Sequence, residues 1–116
     1  MTTAAVIVAA GRGTRAGGEI PKQWQDLGGR SVAAYAMQRF ADHPRIDHLV
    51  LVLHGDDFDS TLWPRDPEAI IAIGGATRSQ SVQNGLAAVP DGTTQVLIHD
   101  AARPHVSDAT IDAVLD

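Results

Sequence analysis

Apolar positions in this chain follow two rhythms. Apolar-rich runs at Ala4–Ala10, His48–Leu53, Ala69–Ile73 and Gln95–His99 predict strands. The first, apolar throughout and ended by glycine, predicts a strand buried on both faces of a sheet. Between them the spacing turns helical. Ser31 precedes Val32, Tyr35, Ala36, Arg39 and Phe40, which predicts a capped helix reaching about Asp42, with Pro44 beyond its end. Thr77 and Gln80 have capping-box spacing, and predict a helix from Arg78 to about Ala88 with Val82 and Leu86 in the core. Pro21 to Asp26 has room for one short helical turn. Gly55 to Pro67 reads as an acidic surface loop with a turn of helix at most. Ser107 to Asp116 starts a further capped helix, with Ile111, Val114 and Leu115 on one face and no glycine or proline stop. That ending creates the expectation of a longer parent chain, of which these residues are the N-terminal piece.

Strands alternating with helices predict an α/β fold with a mostly parallel sheet and flanking helices. In open sheets of this kind, ligands bind outside the carboxyl ends of the strands. The unusual residues gather there. Gly11 to Lys22 follows the first strand, Gly74 to Ser81 the third, and Asp100 to Arg103 the fourth. One rim would then collect three glycine or small-residue loops, the cations Arg15, Lys22, Arg78 and Arg103, and the carboxylate of Asp100.

Composition narrows the classes. At 116 residues the chain is one small domain, and 4% aromatic residues within 44% hydrophobic leave a core of Ala, Val, Ile and Leu. A net charge of −5 argues against nucleic-acid binding, which wants a broad basic surface. Against that background the loop from Gly11 to Trp24 carries Arg12, Arg15 and Lys22 against Glu19, and Lys22 is the only lysine of the chain. Without cysteine there is no disulfide or thiolate metal site. The histidines have no metal-ligand spacing. The first apolar run is too short for a signal core or a membrane span, so a cytoplasmic protein is the expectation.

Glycines following a buried strand let backbone N–H groups approach phosphate oxygens, and fixed cations neutralise them. Gly11-Arg12-Gly13-Thr14-Arg15-Ala16 fits a loose dinucleotide pattern, but Gly17, Gly18 and Pro21 delay any helix, and the second strand ends near Leu53, followed by His54 rather than the required acid. Lys22 is not set in a P-loop. A solvated basic loop is the plain alternative. Arg15 and Lys22 on one triphosphate is the functional reading, because phosphoryl chemistry needs mainly charge and positioning. Gly74-Gly75 before a capped helix is either an ordinary turn or a platform for a flat base, with Ser81 at the base edge. Either Asp100 and Arg103 pair with each other, or Asp100 meets a ribose or a Mg²⁺ ion that bridges phosphates.

The stretches AAGRGTRAGGEIPKQ, GGATRSQSVQNGL and IHDAARP resemble the 2-C-methyl-D-erythritol 4-phosphate cytidylyltransferases. The first is shared loosely by many nucleotidyltransferases; the other two in this order are more specific. The resemblance implies a Rossmann-like nucleotidyltransferase fold and transfer of CMP from CTP to a polyol phosphate, with Mg²⁺ and release of pyrophosphate. It implies that Arg15 and Lys22 stabilise the transition state. Ala9, Ala10, Gly11, Gly13, Gly75 and Ser81 would line CTP, and Asp100 and Ala101 would face the ribose or the metal. It also implies longer family members, whose second half binds the acceptor and forms a homodimer, and which in some bacteria are fused to another enzyme of the isoprenoid route. Other readings remain at this stage. They are a ribitol-phosphate cytidylyltransferase, a sugar-1-phosphate nucleotidylyltransferase, which would lack HDAARP, and a CTP-binding module without activity.

Overall fold

The structure is a computed structural model that describes residues 2–10, 22–26, 28–61 and 63–101. Gly11, Gly13, Arg15, Arg103 and the expected helix after Ser107 lie outside the described residues.

Strand β1 (Thr3–Ala9) is buried at every position. It pairs in parallel with β2 (His48–Leu53) on one side and with β4 (Gln95–Asp100) on the other. β3 (Ile70–Ile73) pairs in parallel with β2, giving the order β3-β2-β1-β4. Helix α1 (Val32–Asp42) lies between β1 and β2 in the chain, and α2 (Arg78–Ala87) between β3 and β4. The chain therefore steps outward from β1 to β3, then returns across β1 to β4. Right-handed crossovers in opposite directions put the two helices on opposite faces. The reversal leaves a crevice at the carboxyl ends of β1 and β4.

Alternate residues of β1 serve opposite faces. Ala5, Ile7 and Ala9 join Leu49, Leu51 and Leu53 under Ala33, Met37 and Phe40 of α1 and Trp24. Val6, Val8 and Ala10 join Val50 and Val52, with Val82, Ala88 and Val89 packed over them. On this second face α2 packs on β1, β2 and β3. A Cβ at Gly85 would come within 2.7 Å of both Val6 Cγ1 and Val52 Cγ2. The missing side chain lets the helix sit directly on the sheet, which offsets glycine's poor helix propensity of about 1 kcal/mol.

The boundaries of α1 and β2 coincide with those read from the sequence; β3, α2 and β4 differ by one residue at one end, and β1 is shifted by one residue at both ends. The stripe that α1 buries differs more. Ala33, Met37 and Phe40 enter the core, whereas Tyr35 is only half-buried, under Arg30, and Arg39 is exposed. Leu86 is not a core residue: it is 42% exposed, because Gly85 is the position of α2 that meets the sheet. The capping box closes one residue early. Thr77 Oγ1 accepts from Gln80 N, but Gln80 Oε1 accepts from the N–H of Ala76.

Candidate active site

The carboxyl rim of the sheet encloses a cavity of about 380 Å³, lined by Val8, Ala10, Gln23, His54, Gly75, Ala76, Thr77, Arg78, Ser81 and Asp100. The size suits a small organic ligand (roughly 300–1,000 Å³). Its position follows from the topology. Val8 and Asp100 are register partners on neighbouring strands, so both face the α2 side. Here α2 lies over β1, β2 and β3, and β4 keeps Val96 and Ile98 exposed at 38% and 43%. The cavity occupies the carboxyl end of that space.

One wall is the junction of β3 and α2. A Cβ on Gly74 would lie 2.5 Å from Ala10 Cβ and 2.6 Å from Ser81 Oγ, and one on Gly75 would lie 2.5 Å from Gln80 Cβ. The paired glycines thus let this turn close against β1 and α2. Gly75 N–H donates to Ser81 Oγ at 3.1 Å. Ser81 is 2% exposed, and a hydroxyl that accepts this bond retains its own proton for donation. Thr77 and Arg78 bring the start of α2 to the rim, so the positive end of the helix dipole and one guanidinium face the opening.

The opposite wall is made by strand ends. Asp100 closes β4 and supplies the carboxylate. Ala101 follows, fully buried, with its N–H on the Val8 carbonyl at 3.0 Å. Ala10 lines the cavity, while the side chain of Ala9 belongs to the α1-side core. Lys22 opens a single 3-10 turn, Lys22–Trp24, in the place expected for a helical turn. Of the expected residues, then, Ala10, Gly75, Ser81 and Asp100 come together at one cavity, and Ala9, Ala101 and Lys22 each adjoin a lining residue in the chain.

Two polar lining residues, Gln23 and His54, had not been expected as site residues. Gln23 is buried and donates from Nε2 to the Ala9 carbonyl at 3.0 Å. His54 follows β2, and its Nδ1 accepts from Asp56 N–H at 3.0 Å. In the neutral ring that bond places the proton on Nε2. His54 was traceable from topology, since it directly follows a strand at the ligand edge. The ring of His99, in β4, packs on Phe40 with centroids 5.2 Å apart.

Residues 3–116 match the family model described as IspD: 2-C-methyl-D-erythritol 4-phosphate cytidylyltransferase. The chain belongs to this family. Within the IspD family it is 59% identical over 117 residues to the bifunctional enzyme IspD/IspF of Ruegeria pomeroyi, spanning 100% of this chain and 31% of the relative. It is 55% identical to the 2-C-methyl-D-erythritol 4-phosphate cytidylyltransferase of Roseobacter denitrificans, spanning 99% of this chain and 52% of the relative. Among solved structures, the IspD protein of Francisella tularensis superposes with a TM-score of 0.74 at 30% identity, over 100% of this chain and 50% of the other. The 4-diphosphocytidyl-2C-methyl-D-erythritol synthase of Anaerococcus prevotii gives 0.79 at 29% identity, over 98% and 49%. These neighbours share the Rossmann-like nucleotidyltransferase fold expected from the sequence. The chain spans about half the length of the single-function relative and about a third of the bifunctional one.

Proposed function

We propose that this chain is the N-terminal, CTP-binding part of a cytidylyltransferase that transfers CMP to 2-C-methyl-D-erythritol 4-phosphate. The observation that carries the reading is the cavity itself. A buried hydroxyl (Ser81), a glycine turn and a carboxylate (Asp100) converge at the switch point of the sheet, beside the turn that starts with Lys22.

In this reading the base lies against Gly75 and Ala10. Ser81, fixed by Gly75 N–H, donates to an acceptor on the pyrimidine edge. The ribose lies toward Asp100 and Ala101, and the triphosphate toward the loop of Gly11, Gly13 and Arg15 and toward Lys22. The acceptor's phosphate oxygen attacks the α-phosphorus in line. A new P–O bond forms, the bond to the bridging α–β oxygen breaks, and its electron pair leaves with pyrophosphate. Arg15 and Lys22 hold the charge on the non-bridging oxygens of the α-phosphate, which is where fixed cations lower such a barrier.

Asp100 fits a Mg²⁺ ion. Magnesium in nucleotide sites is held by one or two carboxylates together with substrate phosphates and water, and Asp100 presents one carboxylate at the cavity wall. When bound, the ion would neutralise charge on the triphosphate and on the departing pyrophosphate. Among the described residues no helix is long and apolar enough to cross a membrane, which is compatible with the cytoplasmic site of action proposed here. The full-length protein is proposed to act as a homodimer.

The test is turnover of CTP and 2-C-methyl-D-erythritol 4-phosphate by the natural full-length protein, read as pyrophosphate release, with ATP as control. Lys22→Ala should lower kcat by about 10²–10³-fold, the usual effect of removing one transition-state charge contact. Ser81→Ala should raise the Kd for CTP about tenfold, the equivalent of one hydrogen bond to the base, and leave the weak binding of ATP unchanged. Unaltered CTP turnover in Lys22→Ala, or equal use of ATP, would overturn the proposal.

A further inference from the structure

The turn that carries Lys22 is fastened to two other elements through the residues that follow the lysine. Gln23 is 5% exposed and donates to the Ala9 carbonyl at 3.0 Å, at the very end of β1. Trp24 is also 5% exposed, with its ring in the α1-side core. Its indole Nε1–H donates to Asp57 Oδ2 at 3.1 Å. Asp57 is itself only 3% exposed and closes the short 3-10 turn Gly55–Asp57 after β2. That second turn is held in its own right: Asp57 N–H donates to the His54 carbonyl, and Ser60 N–H and Oγ–H to the Asp57 carbonyl.

The chemistry of these contacts exceeds what burying a turn requires. An apolar pair at Trp24 and Asp57 would fill the same space without desolvating a carboxylate, which is expensive inside a protein. A buried amide and a buried carboxylate instead impose direction. Each bond works only at one distance and angle, and the two bonds run to different strand ends. Three successive residues thus receive three assignments: a lysine, then a bond to the end of β1, then a bond to the turn after β2. β1 and β2 are central strands of the sheet and register partners as far as Ala9 and Leu53.

We infer that Gln23 and the Trp24–Asp57 pair are positioning residues that fix the Lys22 backbone over the α-phosphate. The inference rests on the role proposed above for Lys22. Gln23 and Asp57 act through the lysine rather than on the reacting atoms. A lysine side chain has four rotatable bonds, and its reach is productive only from a fixed base; a shift of about 1 Å in a catalytic group is enough to lose 10²-fold in rate.

The experiment is a set of double-mutant cycles in the natural full-length protein, reading kcat and KM for CTP along with the melting temperature. Gln23→Glu keeps the shape but sets a carboxylate against the Ala9 carbonyl. Trp24→Phe keeps an aromatic ring and removes the N–H donor together with part of the indole's volume. Each should lower kcat by about 10- to 100-fold while KM for CTP moves less than about threefold, as loss of transition-state alignment does. Asp57→Asn retains an oxygen for the indole and should keep most of the activity that Asp57→Ala loses. In a Lys22→Ala background, Gln23→Glu and Trp24→Phe should have almost no further effect on kcat, because residues that act as one unit are not additive.

Full additivity with Lys22→Ala would overturn the inference and leave the role of Lys22 standing. So would rate losses that track melting temperature across all variants. Unchanged turnover in Lys22→Ala alone would instead overturn the functional reading on which the inference rests. Gln23→Asn, which keeps an amide but shortens its reach, provides a milder variant should Gln23→Glu fail to fold.

Discussion

The two faces of the sheet use the same strands and solve different problems. On the α1 side, Ile7, Leu51 and Leu53 meet Met37, Phe40 and Trp24, all nearly or fully buried. Large side chains interdigitate there at the density of a protein interior. On the α2 side the contacts are made by valines, alanines and glycine, and Gly85 lets the helix lie directly on Val6 and Val52. One face is filled by side chains, the other by approach of backbone. Among the described residues, it is the second face whose carboxyl end holds the cavity. Stability and binding are therefore partly separated between opposite sides of one strand, β1, and the separation can be tested.

The sharpest challenge is Met37→Ala. Met37 is fully buried on the filled face, and its truncation should destabilise the fold by about 2–5 kcal/mol. Denaturant unfolding would measure this, and CTP affinity of the folded fraction should be unchanged. A large loss of affinity at equal folded fraction would show that the faces are not separate. Gly85→Ala probes the other face. The added methyl would stand 2.7 Å from two stiff, buried valines, so the helix must lift, at about 1–3 kcal/mol of overpacking. Here the cavity should change as well, because Ser81 and Thr77 ride on the same helix. Weaker CTP binding beyond the loss of folded protein, seen by calorimetry, is the expected result, and Val6→Ala should restore part of the stability.

The smallest effects sharpen the comparison most. Ser31 caps α1 by accepting from Ala34 N–H, and Thr77 caps α2 by accepting from Gln80 N–H, both at 3.1 Å. Either change to alanine should cost about 1 kcal/mol in thermal or denaturant unfolding. Only Thr77→Ala should also weaken CTP binding, because only that cap lines the cavity. Equal effects of the two on binding would count against the separation.

Much of this was legible in the sequence because it depends on local pattern. A cap followed by periodic apolar residues defined α1, and the unbroken run HLVLVL defined β2. The carboxyl-edge rule then brought Gly75, Ser81 and Asp100 to one place before any of their contacts were known, and the family resemblance added Ala10. What was not legible depends on partners distant in the chain. Leu86 was expected inside because large apolar residues usually make a helix's contact; nothing local announces that glycine makes it in α2. Gln23 and Asp57 look like ordinary surface polar residues until folding puts Ala9 and Trp24 beside them. The separations of 14 and 33 residues lie beyond any periodicity.

β1 carries a further consequence. Every one of its residues is buried, with a parallel neighbour on each side. Amides so placed exchange with solvent only when the whole domain opens. Ala9 and Ala10, at its end, therefore extend the slowest-exchanging part of the molecule up to the cavity. β3 shares the rim but lies at the sheet's edge, with Ile70 and Ile73 exposed. The site thus joins two levels of protection: a floor taken from a strand paired on both sides, and a wall that continues an edge strand.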